Sequence, residues 1–108
     1  MEVTDIKKGN FLVINLSGRL DTSNYGELEK KLIGFIDAGE KEIAVDCSGL
    51  VYISSSGLRV LLMALKKITS ARGKFHLCCL QDNIREIFEI AGFTSIFRVF
   101  GTLDEAIK

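Results

Sequence analysis

Hydrophobic residues along this chain change period several times, and each change marks an element. Residues 2–7 and 11–17 alternate as strands do, with Phe11, Val13 and Asn15 on one face of the second and Leu12, Ile14 and Leu16 on the other. Two mostly apolar faces suit a strand inside a sheet. Lys8-Gly9-Asn10 is short and turn-forming, so the two strands are expected to pair as a hairpin. Gly18 is read as the end of the second strand. Asp21-Thr22-Ser23-Asn24 then offers several helix caps, and Asn24 with Glu27 has the spacing of a capping-box variant. From there Tyr25, Leu28, Leu32, Phe35 and Ile36 form a helical stripe, which Gly39 stops.

The alternation continues to the end of the chain. A strand is expected at 42–47, where Ile43-Ala44-Val45-Asp46-Cys47 reads as buried, followed by a loop over 48–57. Leu58, Leu61, Leu62, Leu65 and Ile68 recur at helical spacing, giving a second helix that ends near Ala71. Gly73 leads into a strand from Lys74 to Leu80. Asp82 can cap a third helix with Ile84, Ile87, Phe88 and Ala91 on its stripe, and Gly92 is placed to close it in the left-handed conformation. Ile96 to Phe100 reads as a last short strand. Thr102 and Glu105 form a T-x-x-E capping box for a short terminal helix.

The order ββαβαβαβα predicts one α/β domain over residues 1–108: a mostly parallel sheet of four to five strands, an N-terminal hairpin strand, about four helices and right-handed crossovers. The loops at 18–24 and 48–57 both leave ends of parallel strands, where ligands and partners gather in such sheets.

Composition narrows the function classes. Fourteen basic and fourteen acidic residues cancel, so there is no basic excess of the kind nucleic acid selects. Lys7-Lys8 and Lys66-Lys67 read as solvated pairs. Glu2 and Asp5 interrupt the apolar start that a secretory signal needs, and Val60 to Leu65 is far short of the ~20 residues that span a bilayer. The three cysteines, Cys47, Cys78 and Cys79, read as buried thiols of a reducing cytoplasm. With no C-x-x-C and His76 the one histidine, no metal site is expected.

Catalytic patterns fail as well. A nucleophile elbow needs Gly-x-Ser-x-Gly, but Ile53 stands two residues before Ser55. No Asp or Glu lies within 57–75 to serve a histidine, and His76 itself falls inside a strand. A phosphate-binding loop would need Gly-Lys-Ser/Thr, which is absent. No catalytic residue and no cofactor is expected.

What remains is Ser54-Ser55-Ser56-Gly57, at the mouth of the second helix. Unpaired backbone N–H groups and the positive end of the helix dipole favour an anion there. Serine is a preferred N-cap, worth about 1 kcal/mol over alanine, but one cap needs one serine, so at least one hydroxyl is spare. Arg59 and Met63 lie one turn apart off the apolar stripe. They are either ordinary surface or a partner-facing strip, since exposed Met adapts to an opposing surface.

The segment Val45-Asp46-Cys47-Ser48-Gly49-Leu50-Val51-Tyr52-Ile53-Ser54-Ser55-Ser56-Gly57-Leu58 resembles the signature of the STAS domain, especially that of bacterial anti-sigma factor antagonists. Leu16-Ser17-Gly18-Arg19-Leu20-Asp21 is similar to the family's Gly-x-Leu-Asp segment after its second strand. The resemblance covers essentially the whole chain. It implies a partner switch: the antagonist binds an anti-sigma factor that is also a serine kinase, the sigma factor is freed, the kinase phosphorylates the serine before the motif glycine, and a serine phosphatase resets it. Carried onto this chain, the phosphoacceptor is Ser56, with Ser55 as fallback. The implied docking surface joins Asp21, Thr22, Ser23 and Asn24 to Ser54, Ser55, Ser56, Gly57, Arg59 and Met63 on a cytoplasmic monomer. The family commonly has an acidic residue where this chain has Ser54. Two other readings follow from the same features: a STAS module of a stress-signalling scaffold or lipid transporter, and a module holding a small nucleotide at the helix N-terminus.

Overall fold

The computed structural model describes residues 1–108 as one five-stranded sheet in the order β1-β2-β3-β4-β5. The strands are β1 (Glu2–Lys8), β2 (Phe11–Leu20), β3 (Glu42–Ile53), β4 (Lys74–Cys78) and β5 (Arg98–Phe100). The helices are α1 (Tyr25–Asp37), α2 (Ser55–Ser70), α3 (Asp82–Ile90) and α4 (Leu103–Ala106), with a 3-10 turn at Phe93–Ser95. β1 and β2 pair antiparallel around Gly9, whose φ of +62° suits the turn, and the remaining pairs are parallel. The element order is the one expected from the sequence.

From β2 on, each strand is added beside the last through a crossover of one hand, which leaves α1, α2 and α3 on the same face. Strand alternation turns Leu12, Ile14, Leu16, Ile43, Val45, Phe75 and Leu77 to that face. There they pack with Leu28 and Leu32 of α1, with Val60, Leu61, Ala64 and Ile68 of α2, and with Ile84 and Phe88 of α3. The opposite face carries a smaller cluster of Phe11, Ala44, Cys78 and Ala106, closed by α4. His76 belongs to this side. Its ring lies between Phe11 and Phe100, with centroids 5.5 and 4.9 Å away, and its Nδ1–H donates to the Ala106 carbonyl at 2.7 Å.

Four local expectations are corrected. Gly18 does not end β2: it takes φ +95° and the strand runs on to Leu20. β3 likewise passes through Ser48-Gly49 to Ile53, so no loop spans 48–57. The pairing between β2 and β3 absorbs an extra β3 residue twice, between Asn15/Ser17 and between Gly18/Arg19. These bulges put Cys47, Leu50 and Ile53 into the core at a spacing of three rather than two. The third correction concerns caps: neither Asn24 nor Asp82 caps a helix through its side chain, and Gln81 occupies the N-cap position of α3. The fourth is Ala91, which is exposed rather than on the α3 stripe. Gly92 does adopt the left-handed conformation, and Thr102 Oγ1 accepts from Glu105 N–H at 3.2 Å.

Candidate functional site

The extensions of β2 and β3 bring two turns together at one end of the sheet. Leu20 and Ile53 are register partners, and the next residue, Ser54, donates its backbone N–H to the Leu20 carbonyl at 2.9 Å. The Asp21–Asn24 turn and the serine turn therefore leave adjacent strands at the same level.

The first turn is held from within. Asn24 Oδ1 accepts from the Asp21 N–H at 2.9 Å, and Asn24 Nδ2 donates to the Arg19 carbonyl at 2.8 Å. This use of the amide explains why Asn24 does not cap α1. Asp21 Oδ1 accepts from the Ser23 hydroxyl at 2.6 Å and from the Ser23 N–H at 3.0 Å. Those two bonds, with a smaller contribution from the Arg19 charge, hold the Asp21 carboxyl below its ordinary range. Arg19 Nε lies 3.7 Å from Asp21 Oδ2, and its guanidinium sits over the Tyr52 ring, 4.1 Å from the centroid. Thr22 is exposed and makes no side-chain hydrogen bond.

In the second turn the division of labour among the serines is explicit. Ser54 is the N-cap of α2, with extended backbone and an Oγ that accepts from Gly57 N–H at 3.2 Å. The Ser55 and Ser56 hydroxyls make no side-chain hydrogen bond; Ser55 is exposed and Ser56 half-buried. Gly57 is buried beneath them, because a Cβ there would stand 2.7 Å from Leu20 Cγ and 2.9 Å from Ile53 Cγ1. The missing side chain lets the first turn of α2 press onto the strand ends, so Gly57 shapes the surface from below and presents no side chain to a partner. Arg59 is exposed on the next turn. Met63 is half-buried and packs partly against the core, so it does not lie wholly off the apolar stripe.

The periodicity argument passed over Val51, Tyr52 and Arg19. Val51 is 47% and Tyr52 38% exposed, an apolar shelf beside the two turns. Its register with Arg19 depends on the bulges, so nothing local marks it. The far edge of this part of β3 is closed by side chains, since Gln81 Nε2 donates to the Ser48 carbonyl at 2.8 Å and Asn83 Nδ2 to that of Val51 at 3.1 Å.

Potential metal ligands meet elsewhere. Asp46, Cys78 and Cys79 offer donor atoms within 4.8 Å of one another. Three donors fall short of a closed tetrahedral set. Burial also pushes the Cys78 thiol far above its ordinary range, opposing the thiolate a metal requires. Cys47, wholly buried, is pushed up in the same way. No helix is long and apolar enough to cross a membrane.

The family model for the STAS domain matches residues 3–106. BtrV of Bordetella bronchiseptica, which carries the name of an anti-sigma factor antagonist, is 39% identical over 106 residues, covering 98% of this chain and 91% of that protein. Among solved structures, an anti-sigma factor antagonist of Thermotoga maritima superposes with a TM-score of 0.94 at 21% identity, over 97% of this chain and 91% of that one. The Bacillus cell fate determinant SpoIIAA, in its phosphorylated form, superposes at 0.77 with 22% identity, over 98% and 96%. The chain belongs to the STAS domain family, among relatives named as anti-sigma factor antagonists.

Proposed function

We propose that this chain is an anti-sigma factor antagonist whose docking surface is the pair of turns at Asp21–Asn24 and Ser54–Ser56, and that phosphorylation of Ser56 switches it off. The partner is an anti-sigma factor with serine kinase activity, and a serine phosphatase restores binding. The chain is the kinase's substrate and performs no catalysis of its own.

One observation carries this reading. Ser54 alone caps α2, which leaves two hydroxyls uncommitted at a helix entrance directly beside a rigid acidic turn. A phosphoserine there adds about −1.5 to −2 charge. The α2 dipole and free N–H groups tolerate that charge, so the fold survives. A docked partner would meet a bulky hydrated dianion alongside Asp21. A penalty of about 3 kcal/mol reduces affinity roughly a hundredfold, so the partner leaves while the domain stays folded.

Two serines compete for the role. Family resemblance selects Ser56, which precedes the motif glycine, and exposure favours Ser55. The experiment is incubation with the candidate kinase and ATP, followed by mapping of the phosphate by mass spectrometry in the wild type, Ser56→Ala and Ser55→Ala. Loss of label in Ser56→Ala alone supports the assignment. Full labelling of Ser56→Ala with none in Ser55→Ala moves the switch by one residue, and unchanged partner affinity after phosphorylation refutes it.

A further inference from the structure

The outer flank of α2, beyond the serine turn, is a second surface with its own chemistry. Between Asp46 and Asp82 the chain contains no acidic residue, yet Arg59, Lys66, Lys67, Arg72 and Lys74 all fall there. The zero net charge of the whole chain conceals this segregation. Lys74 is the one member of the group within ion-pair distance of an acid, 3.8 Å from Glu42. Lys66 and Lys67 are exposed and make no salt bridge.

These lysines border apolar depressions. One, of about 690 Å³, runs between α2 and the 3-10 turn and is lined by Leu62, Leu65, Lys66, Thr69, Ser70 and Ile96. Another, of about 520 Å³, runs towards α1 over Ile36, Lys66, Lys67, Ser70 and Ala71. Lys66 stands between them and borders both. Leu62 and Leu65 are half-buried at the edge of the core, and Ile96 is 49% exposed. From Leu62 to Ala71 the flank extends about 14 Å at 1.5 Å per residue, between two and three helical turns. Both hollows are open troughs, whereas small-molecule sites enclose most of their ligand.

We infer that this flank docks an acidic amphipathic helix of another protein, with apolar side chains seated against Leu62, Leu65 and Ile96 and carboxylates facing Lys66 and Lys67. Helix-in-groove recognition reads apolar anchors at i, i+3, i+4 and i+7. Charge complementarity around such a trough fixes the sign of the partner and its orientation. The surface includes none of the three serines; it adjoins the proposed docking surface through a third hollow, where Leu62, Lys66 and Lys67 meet Arg59 and Met63.

The test uses the full chain, labelled with ¹⁵N, titrated with a designed amphipathic helix that carries leucines at the anchor positions and glutamates elsewhere. The expected result is amide shifts confined to residues 62–71 and Ile96, weakening as salt is raised. Binding should fall at least tenfold in Lys66→Glu/Lys67→Glu, whose exposed positions leave the fold intact by circular dichroism. Any of the following results overturns the inference: shifts that map elsewhere, equal binding of the lysine-for-glutamate version of the peptide, equal binding by the double variant, or shifts of these amides by vesicles of anionic phosphatidylglycerol but not by the peptide. Concentration-dependent shifts of the same amides with no peptide present would assign the flank to a second copy of the chain and overturn it as well.

Discussion

The backbone N–H of Ser54 donates to the carbonyl of Leu20 at 2.9 Å, so the last residue of β2 and the cap of α2 are tied by one hydrogen bond. The two turns proposed to meet a partner are thereby rigidly related, and pre-organisation of this kind lowers the ordering cost of docking. The side chain of Leu20 also lies directly under Gly57.

Substituting Gly57 tests that stacking. In Gly57→Ala the new methyl meets Leu20 and Ile53, both deep in the core, and neither can give way freely. Overpacking costs typically about 1–3 kcal/mol. Thermal and urea denaturation should show a loss in this range, with weaker partner binding because the first turn of α2 is pushed outward.

The serines should separate cleanly in stability measurements. Ser54→Ala removes the oxygen that accepts from Gly57 N–H and should cost about 1 kcal/mol. Ser55→Ala and Ser56→Ala remove no hydrogen bond and should stay within about 0.5 kcal/mol of the wild type. Equal losses at all three positions in urea denaturation would contradict the assignment of the cap to Ser54.

Arg59 lies three residues after Ser56 and four after Ser55, within reach of a phosphate on either along one helix face. Phosphorylation should therefore raise the melting temperature, since an anion at a helix N-terminus contributes about 0.3–1 kcal/mol. In Arg59→Ala the gain should shrink and become less sensitive to salt. The comparison is between phosphorylated and unphosphorylated forms of each variant in thermal melts at two ionic strengths.

The Asp21 carboxyl should titrate below its ordinary value of 3.8. A depressed folded-state pKa means that its stabilising contribution is complete above the unfolded value and is lost as pH falls through the folded one. The turn is therefore intact at neutral pH and loosens only in acid. Ser23→Ala removes the hydroxyl bond, the largest cause of the depression, and the midpoint should move up towards 3.8. Carbon-13 titration of the Asp21 carboxyl reports it directly.

Thiol reactivity should follow burial. Cys79 is partly exposed, with a φ of +62°, while Cys47 and Cys78 are enclosed and held protonated by desolvation. Alkylation of the native chain should modify Cys79 first and reach the other two only with global unfolding. Mass spectrometry over a time course measures the order.

Element types and their order were legible because the periods along the chain are strong. Leu28 and Leu32 repeat at helical spacing, and Leu12, Ile14 and Leu16 alternate as a strand. Element ends were less legible where tertiary contacts override local signals. Ser48-Gly49 has the composition of a turn, yet β3 continues because Leu50 and Ile53 find the core through bulges that no local rule specifies. Asn24 has the identity and spacing of a cap, but its amide is spent across the turn on Arg19 and Asp21. At the site, the sequence pattern marked the serines and Asp21. Arg19 and Tyr52 became visible only once paired strands placed one over the other.

Where β4 stops at Cys78, the last stretch of β3 could have stood as a bare strand margin. The side-chain amides of Gln81 and Asn83 take two of its carbonyls instead. Open sheet margins recruit further strands, whether from other copies or in misfolded stacks. With this stretch stoppered, a visiting strand finds two of the carbonyls it would need already taken. The same plug guards the folded chain against the ladder of backbone bonds by which strands adhere and aggregate.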